Sequence, residues 1–299
     1  MKIVITGGAG FLGVRLARAL LERGQLTGSS RRPEPIEEVV LLDVIVAKGI
    51  EDKRIRSEEG DIADPAVIWS ALGSDTSTVF HLAAIVSGQA ETDFELGMRV
   101  NLDATRALLE ACRALPQPPR FVFASSVAVF GGQLPEVVPA AFELNPQTSY
   151  GTQKTIGELL VNDYGRRGFV DARAYRLPTI CVRPGRPNRA ASSFASGIIR
   201  EPLQGIDADC PVAPETRMWL SSPRTAIENL IRGHELEGTS LGLNRALSLP
   251  GLTVTVAEMV AALESVAGKS VSARVHFCRD QKVDRLVSSW PGARNTERA

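Results

Sequence analysis

The chain carries no excess charge: Lys+Arg and Asp+Glu both number 34. That balance excludes a global field recruiting nucleic acid or an anionic membrane, so the expected partner is a small molecule and any charge selectivity is local. Cysteine is scarce and scattered. Cys112, Cys181, Cys210 and Cys278 form no Cys-x-x-Cys, and no His stands at metal spacing from them. They read as reduced thiols, and no metal site is expected. No apolar run approaches the ~20 residues of a membrane span. The first strand opens at Lys2 and leaves no room before it for a signal or transit segment, so a cytoplasmic location is the expectation. Repeats and low-complexity segments are absent as well. What the chain does have is 299 residues with 44% apolar content, enough for one large α/β domain or a main domain with a smaller lobe.

Buried strands alternate with amphipathic helices through the first 177 residues. Lys2–Thr6, Val39–Val44, Val79–Ala83, Arg120–Ala124 and Ala172–Leu177 are short apolar runs suited to strands covered on both faces. Phe11–Arg23 places Leu12, Leu16 and Leu20 on one stripe and stops at Gly24. Asp64-Pro65 opens a short helix that ends at Gly73. Val100–Leu115 and Pro146–Arg166 are further helices, while Gln25–Glu38 reads as a loop insertion. The alternation predicts an α/β fold built on a doubly wound parallel sheet. After Pro178 the texture changes. Arg183–Asn188 is rich in Arg, Pro and Gly, Asp207–Glu215 is loop-like, and order returns as a strand near Arg245–Leu249 and a helix at Val256–Val266. Residues 1–177 are therefore expected to form the nucleotide domain, and 178–299 mainly a smaller substrate-binding lobe from which a late strand can rejoin the sheet.

Two distant motifs carry the chemistry. In Thr6-Gly7-Gly8-Ala9-Gly10-Phe11-Leu12-Gly13, Gly7, Gly10 and Gly13 follow the first strand and open the first helix. Residues without Cβ let backbone amides approach a dinucleotide pyrophosphate, and the helix N-terminus adds positive potential. Asp43 ends the second strand, where a carboxylate accepts ribose hydroxyls and repels a 2′-phosphate, which favours NAD. Arg31 and Arg32 in the inserted loop keep NADP open. Asp61, with Ile62 beside it, ends another expected strand and is placed for the adenine amino group. The second motif is Tyr150-Gly151-Thr152-Gln153-Lys154, whose Tyr and Lys stand one turn apart on a helix face. Tyrosine titrates near ~10, and a neighbouring ammonium favours its phenolate. Ser125 and Ser126 lie at the C-terminal end of a buried strand, where open α/β sheets bind ligands. A serine hydroxyl there can hold a substrate oxygen. Together they point to hydride transfer with a phenol moving the proton.

On these residues the chain resembles the extended short-chain dehydrogenase/reductases, the NAD-dependent epimerase/dehydratase superfamily with a Rossmann fold, from Met1 to about Gly268. Thr6–Gly13 is similar to that family's glycine signature, and His81-Leu82-Ala83-Ala84 to the strand-four motif that lines its cofactor. The resemblance implies Ser126, Tyr150 and Lys154 as catalytic residues and NAD as cofactor. It implies contacts to that cofactor from Phe11, Leu12, Leu82, Ala83, Ala84, Asn101, Pro178 and Thr179. It also implies a homodimer paired through Val100–Leu115 and Pro146–Arg166. Relatives usually continue beyond the point where this chain stops after Arg294–Ala299, so a further tail is expected. Trp219–Arg224 and Phe130 depart from the nucleotide-sugar members. Ala84–Glu91 and Arg176–Gly185 look most like the D-erythronate dehydrogenase group of sugar-acid dehydrogenases.

A sugar acid needs a cation for its carboxylate, and bidentate arginine suits one. Arg183, Arg186 and Arg189 cluster after Thr179, and Arg217 follows later; Arg183 is favoured because it is nearest the nicotinamide segment. Ser87, Ser192, Ser193 and Thr179 are candidate hydroxyl partners. The expected activity is NAD-dependent oxidation of the C2 hydroxyl of a short aldonic acid. Its rivals are a nucleotide-sugar epimerase or dehydratase and a redox-sensing binding protein, the latter disfavoured by the intact Tyr/Lys pair.

Overall fold

The computed structural model describes residues 1–28 and 30–299. Seven strands, β1 (Lys2–Thr6), β2 (Glu38–Asp43), β3 (Ile55–Glu59), β4 (Thr76–His81), β5 (Arg120–Ser126), β6 (Asp171–Leu177) and β7 (Ala246–Ser248), form one sheet. Its order is β3-β2-β1-β4-β5-β6-β7, and every pairing is parallel. From β3 the chain crosses back over β1 to reach β4. The loops leaving β1 and β4 therefore diverge and open a crevice at their carboxyl ends.

Strands β1, β2 and β4 carry apolar residues on both faces because helices cover both, whereas the edge strand β3 is mostly polar. Ile3, Ile5, Val39 and Leu41 pack on Leu16 and Leu20 of α1 (Phe11–Arg23). The alternate residues Val4, Val40 and Leu42 pack on Leu72 of α2 (Pro65–Leu72) and on Leu108, Leu109 and Cys112 of α3 (Ala104–Arg113). Asp64 caps α2 by accepting from the Ala66 amide at 2.9 Å. Thr148 does the same for α4 (Ser149–Arg166), accepting from the Gly151 amide at 3.0 Å, so that helix starts three residues later than Pro146.

Beyond residue 178 the chain is shared between two cores. Helix α5 (Ser193–Leu203), Met218 and Met259 of α7 (Val256–Ala267) build a separate cluster with Cys210, Val212 and Val287. Helix α6 (Pro223–Glu235) instead returns Ala226, Ile227 and Leu230 to the α1 face of the sheet, and β7 pairs with β6.

Four expectations change. The insertion after α1 is an antiparallel hairpin, Gln25–Thr27 with Pro33–Pro35; three-residue strands are too short to show a period of two. Glu235 on α6 anchors it, accepting from the Thr27 amide at 3.0 Å. Met98–Asp103 is π-helical and precedes α3, where continuous α-helix was expected. Ala208–Cys210, inside the expected loop, pairs in parallel with Val275–Phe277. Asp61 lies two residues past the end of β3, in the loop that leads to α2.

Helix α1 is pressed onto the turn before it. A Cβ on Gly13 would stand 2.3 Å from the Gly7 carbonyl oxygen and 2.8 Å from Gly8 Cα. Both are backbone atoms that cannot swing aside. Gly13→Ala should lower stability by about 1–3 kcal/mol, the usual cost of overpacking, read as a reduced urea midpoint; an unchanged midpoint would refute this packing argument.

Candidate active site

The crevice between β1 and β4 is a cleft of about 300 Å³ bounded by Gly7, Gly10, Asp43, Asp61, Ile62, Leu82, Ala83 and Ala84, a size suited to a small-molecule ligand. Gly7 has φ +70, and a Cβ there would sit 2.8 Å from the Ala83 amide, so the turn requires glycine. The first intrahelical bond of α1 runs from Val14 N to Gly10 O. The amides of Phe11, Leu12 and Gly13 precede it, no side chain caps them, and the first turn holds no acidic residue. That is a ready anion seat, and it fits a pyrophosphate. Asp43 accepts from the Ala9 amide at 3.1 Å, which fixes its carboxylate beside this turn.

Several expected cofactor contacts take other roles. The side chains of Phe11 and Leu12 pack toward the core, leaving only their amides for the cleft. Gly13 is buried against Gly7, so it too offers only its amide. Asp61 is held by the Arg99 guanidinium at 2.5 Å and the Ala63 amide at 2.9 Å. Burial raises its pKa, but these two partners more than reverse that and leave it lowered. Asn101 is sealed inside the protein. Its amide clamps both backbone groups of Ile85, at 2.7 and 3.0 Å, and donates to Gln153 at 2.7 Å. It therefore shapes the loop after β4 and does not face the cleft. Arg31 lies at a different cavity, with Arg120 and Asp171.

His81, quoted above only as part of a motif, ties the crevice together. Thr105 gives its hydroxyl proton to the Asn101 carbonyl at 2.7 Å, so it accepts from His81 Nε2 at 2.8 Å. His81 Nδ1 then accepts from Thr6 Oγ1 at 2.7 Å. Burial, with the Lys154 charge, pushes its pKa down to about 3, and the ring is neutral.

At the end of β5 the chain enters a single 3-10 turn, Val127–Val129, with Ser126 Oγ accepting from the Ala128 amide at 3.2 Å. Helix α4 meets this turn closely: a Cβ on Gly151 would lie 2.2 Å from the Ala128 carbonyl oxygen. That approach brings the Tyr150 phenol to the Ser126 hydroxyl. Burial raises the Tyr150 pKa, while Ser126 and the Arg183 charge pull it back. Lys154 is 2% exposed. Its Nζ donates to the Ala124 carbonyl at 2.9 Å, 5.8 Å from the Tyr150 ring centroid. Burial lowers its pKa to about 7 against the attraction of Glu158. Glu158, one turn further along α4, is buried and engaged by the Arg176 guanidinium at 2.6, 2.9 and 3.1 Å and by the Ser125 hydroxyl. Ser125, expected at the cofactor, spends its hydroxyl on this network.

A second cavity, of about 80 Å³, adjoins the phenol. Ser126, Tyr150, Pro178, Thr179, Arg183, Ser87 and Ser192 line it. Ser87 Oγ accepts from the Ala191 amide at 3.2 Å, leaving its proton free. Ser193 is outside the lining, with Oγ accepting from the Asn188 amide at 3.1 Å. Of the arginines, Arg183 is half-buried and faces Tyr150. Arg186 and Arg189 are exposed, and Arg217 pairs with Glu136 at 2.8 Å near the surface. Val86, Val127, Ala128, Ala190 and Trp290 also line the cavity. Only Trp290, far along the chain, is chemically distinctive among them, and no motif marked it.

The model of the NAD dependent epimerase/dehydratase family matches residues 3–219. D-erythronate dehydrogenase of Cupriavidus necator is 60% identical over 299 residues, covering 100% of this chain and 92% of the relative. D-erythronate dehydrogenase of Haemophilus influenzae is 46% identical over 97% of this chain and 90% of its own length. A solved structure described as a nucleoside-diphosphate-sugar epimerase from Agrobacterium tumefaciens is 42% identical with TM-score 0.91, covering 100% of this chain and 88% of its own.

The depressed Lys154 pKa has a thermodynamic signature. The folded value, about 7, lies below the ordinary 10.5. Between these values the unfolded chain holds a proton that the folded chain lacks, so stability rises with pH across that window. Lys154→Met should remove this rise, making the variant relatively more stable at pH 6.5 than at pH 9 in urea titrations of the cofactor-free protein. Parallel pH profiles for the two proteins would contradict the buried-ammonium argument.

Proposed function

The chain belongs to the NAD dependent epimerase/dehydratase family, and from that premise we propose that it is an NAD-dependent dehydrogenase oxidising the C2 hydroxyl of a short sugar acid, D-erythronate or a close homologue, to the 2-keto acid. The observation that carries this reading is the convergence of Tyr150, Ser126 and the half-buried Arg183 on one cavity, seen in a chain 60% identical to a D-erythronate dehydrogenase. Gly7, Gly10 and the α1 amides would hold the pyrophosphate. Asp43 would accept the ribose hydroxyls, which favours NAD over NADP; Arg31 stands elsewhere and offers nothing to a 2′-phosphate.

When bound, the coenzyme supplies the acceptor for the C2 hydride. Arg183 bonds the substrate carboxylate and fixes C2 beside the phenol. Ser126 donates to the C2 oxygen, and Tyr150 as phenolate takes its proton. Protonated Lys154 supplies the positive charge that favours the phenolate. Because the two electrons leave with the hydride and the proton leaves through Tyr150, each turnover yields one 2-keto acid and one NADH.

The epimerase description of the Agrobacterium structure keeps a nucleotide-sugar reading as the rival. In that chemistry the coenzyme is reoxidised within each cycle. A homodimer paired through Val100–Leu115 and Pro146–Arg166 is part of the proposal, supported by Leu159, which is 62% exposed on α4. A cytoplasmic setting, where nicotinamide coenzymes are available, suits the reaction.

Incubation with NAD and D-erythronate should give net NADH absorbance at 340 nm. Bound coenzyme without net NADH across four- to six-carbon aldonic acids would favour the rival. Tyr150→Phe should lower kcat roughly 100- to 10,000-fold with NAD affinity retained. Arg183→Met should raise KM for the acid about 10- to 100-fold, as loss of a charged hydrogen bond does. An unchanged KM would remove Arg183 from the carboxylate. Leu159→Arg should give a monomer by light scattering at micromolar concentration.

A further inference from the structure

Trp290 lines the cavity that holds Tyr150, Ser126 and Arg183, although it comes from the far end of the chain. Its indole Nε1 is sealed from solvent and has no hydrogen-bond partner among the described residues. A buried donor left unsatisfied costs about 1–3 kcal/mol. An orphan indole alone decides little, since Trp219 Nε1 is also unpartnered. Trp219, however, lies against Gly251 and outside this cavity. Of these two indoles, Trp290 is the one that lines the cavity beside Tyr150.

The position of Trp290 is fixed from both sides. Its amide bonds the Val287 carbonyl at 3.1 Å, and its ring packs on the core that contains Val287, Met218 and Met259. After it, Gly292 abuts Arg217 so closely that a Cβ would lie 2.7 Å from Arg217 Cβ. Val138 then pairs with Ala293 at 3.1 Å and with Asn295 at 2.9 Å. A donor held in this way is organised before any ligand arrives, which is how binding sites gain specificity.

With Arg183 on the carboxylate and Ser126 and Tyr150 on the C2 oxygen, the oxygens of a short aldonic acid still without partners are its distal hydroxyls. We propose that Trp290 is the specificity-determining residue of this site: its indole N–H donates to a distal hydroxyl, and its ring closes the cavity against longer acids. This rests on the sugar-acid reading above.

The test compares wild type and Trp290→Phe, which keeps the aromatic plate and removes the N–H, on D-erythronate and on 2-hydroxybutanoate, which lacks both distal hydroxyls. The variant should raise KM for D-erythronate about tenfold, the usual weight of one lost hydrogen bond, with a much smaller change for 2-hydroxybutanoate. Trp290→Ala should in addition raise kcat/KM for five-carbon relative to four-carbon acids. Equal losses on both acids would show a merely structural role and overturn the assignment, as would an unchanged KM for D-erythronate. Wild type that binds NAD yet forms no NADH with either acid would overturn the sugar-acid reading, and this assignment with it.

Discussion

The buried Glu158–Arg176 pair is the constraint on which the rest of the site depends. Glu158 sits on α4, Arg176 on β6, and the Ser125 hydroxyl joins them from β5. Three elements are therefore locked by one carboxylate that is 3% exposed. Such a pair adds little net stability over a well-packed apolar alternative, but losing one partner strands a buried charge. Its contribution here is registration. The same helix carries Tyr150 and Lys154, so the lock sets the height of both over the Ser126 end of β5.

That lock also explains the state of Lys154. Arg176 occupies both oxygens of Glu158, so the ammonium receives only distant attraction from the one nearby carboxylate. Its direct partners are the Ala124 carbonyl and the face of Phe123, 4.6 Å away. Neither offsets the loss of water, and the pKa falls to about 7. A lysine with a full counter-ion would be a fixed charge. This one sits near neutral pH, where the proposed reaction would need a phenolate favoured and then released. The neutral His81 fits the same economy of charge, because a second cation beside Lys154 would oppose the first.

Local chemistry made the cofactor half of the fold readable. Gly7 and Gly13 are required by backbone contacts within a few residues or one strand away, and β1, β2 and β5 are largely apolar because they are covered on both faces. Asp64-Pro65 and Gly73 mark the ends of α2 by capping rules that act within one turn. What the sequence hid depends on partners distant in the chain. Asn101 and Ser125 have the right residue type for a cofactor contact, yet Ile85 and Glu158 claim them. The hairpin after α1 is fixed by Glu235, 208 residues away from Thr27. The π-helical stretch has no periodicity that distinguishes it from the α-helix it interrupts. Arg183 could be chosen over Arg186, Arg189 and Arg217 by proximity to Thr179, but its half-burial against Tyr150 is a tertiary fact.

The C-terminal segment shows how the two halves of the site are joined. Arg294 lies 3.9 Å above the Phe130 ring, which Arg176 also faces at 5.0 Å, and its Nε donates to Ser248 on β7. Burial, with repulsion from Arg176, lowers its pKa to about 10 against the pull of Glu158. A guanidinium still carries its charge at that value, so the tail's anchor is electrostatically part of the Glu158 network. Four residues earlier in the chain, Trp290 lines the cavity that Tyr150 also lines. The network that registers Tyr150 and Lys154 therefore also holds the segment that closes the same cavity. A shift in either would be felt by both, since a packed interior transmits displacement with little slack. Phe130 is the plate on which the two arginines meet, and a hydroxyl on that ring would need a partner in this crowded, cationic space.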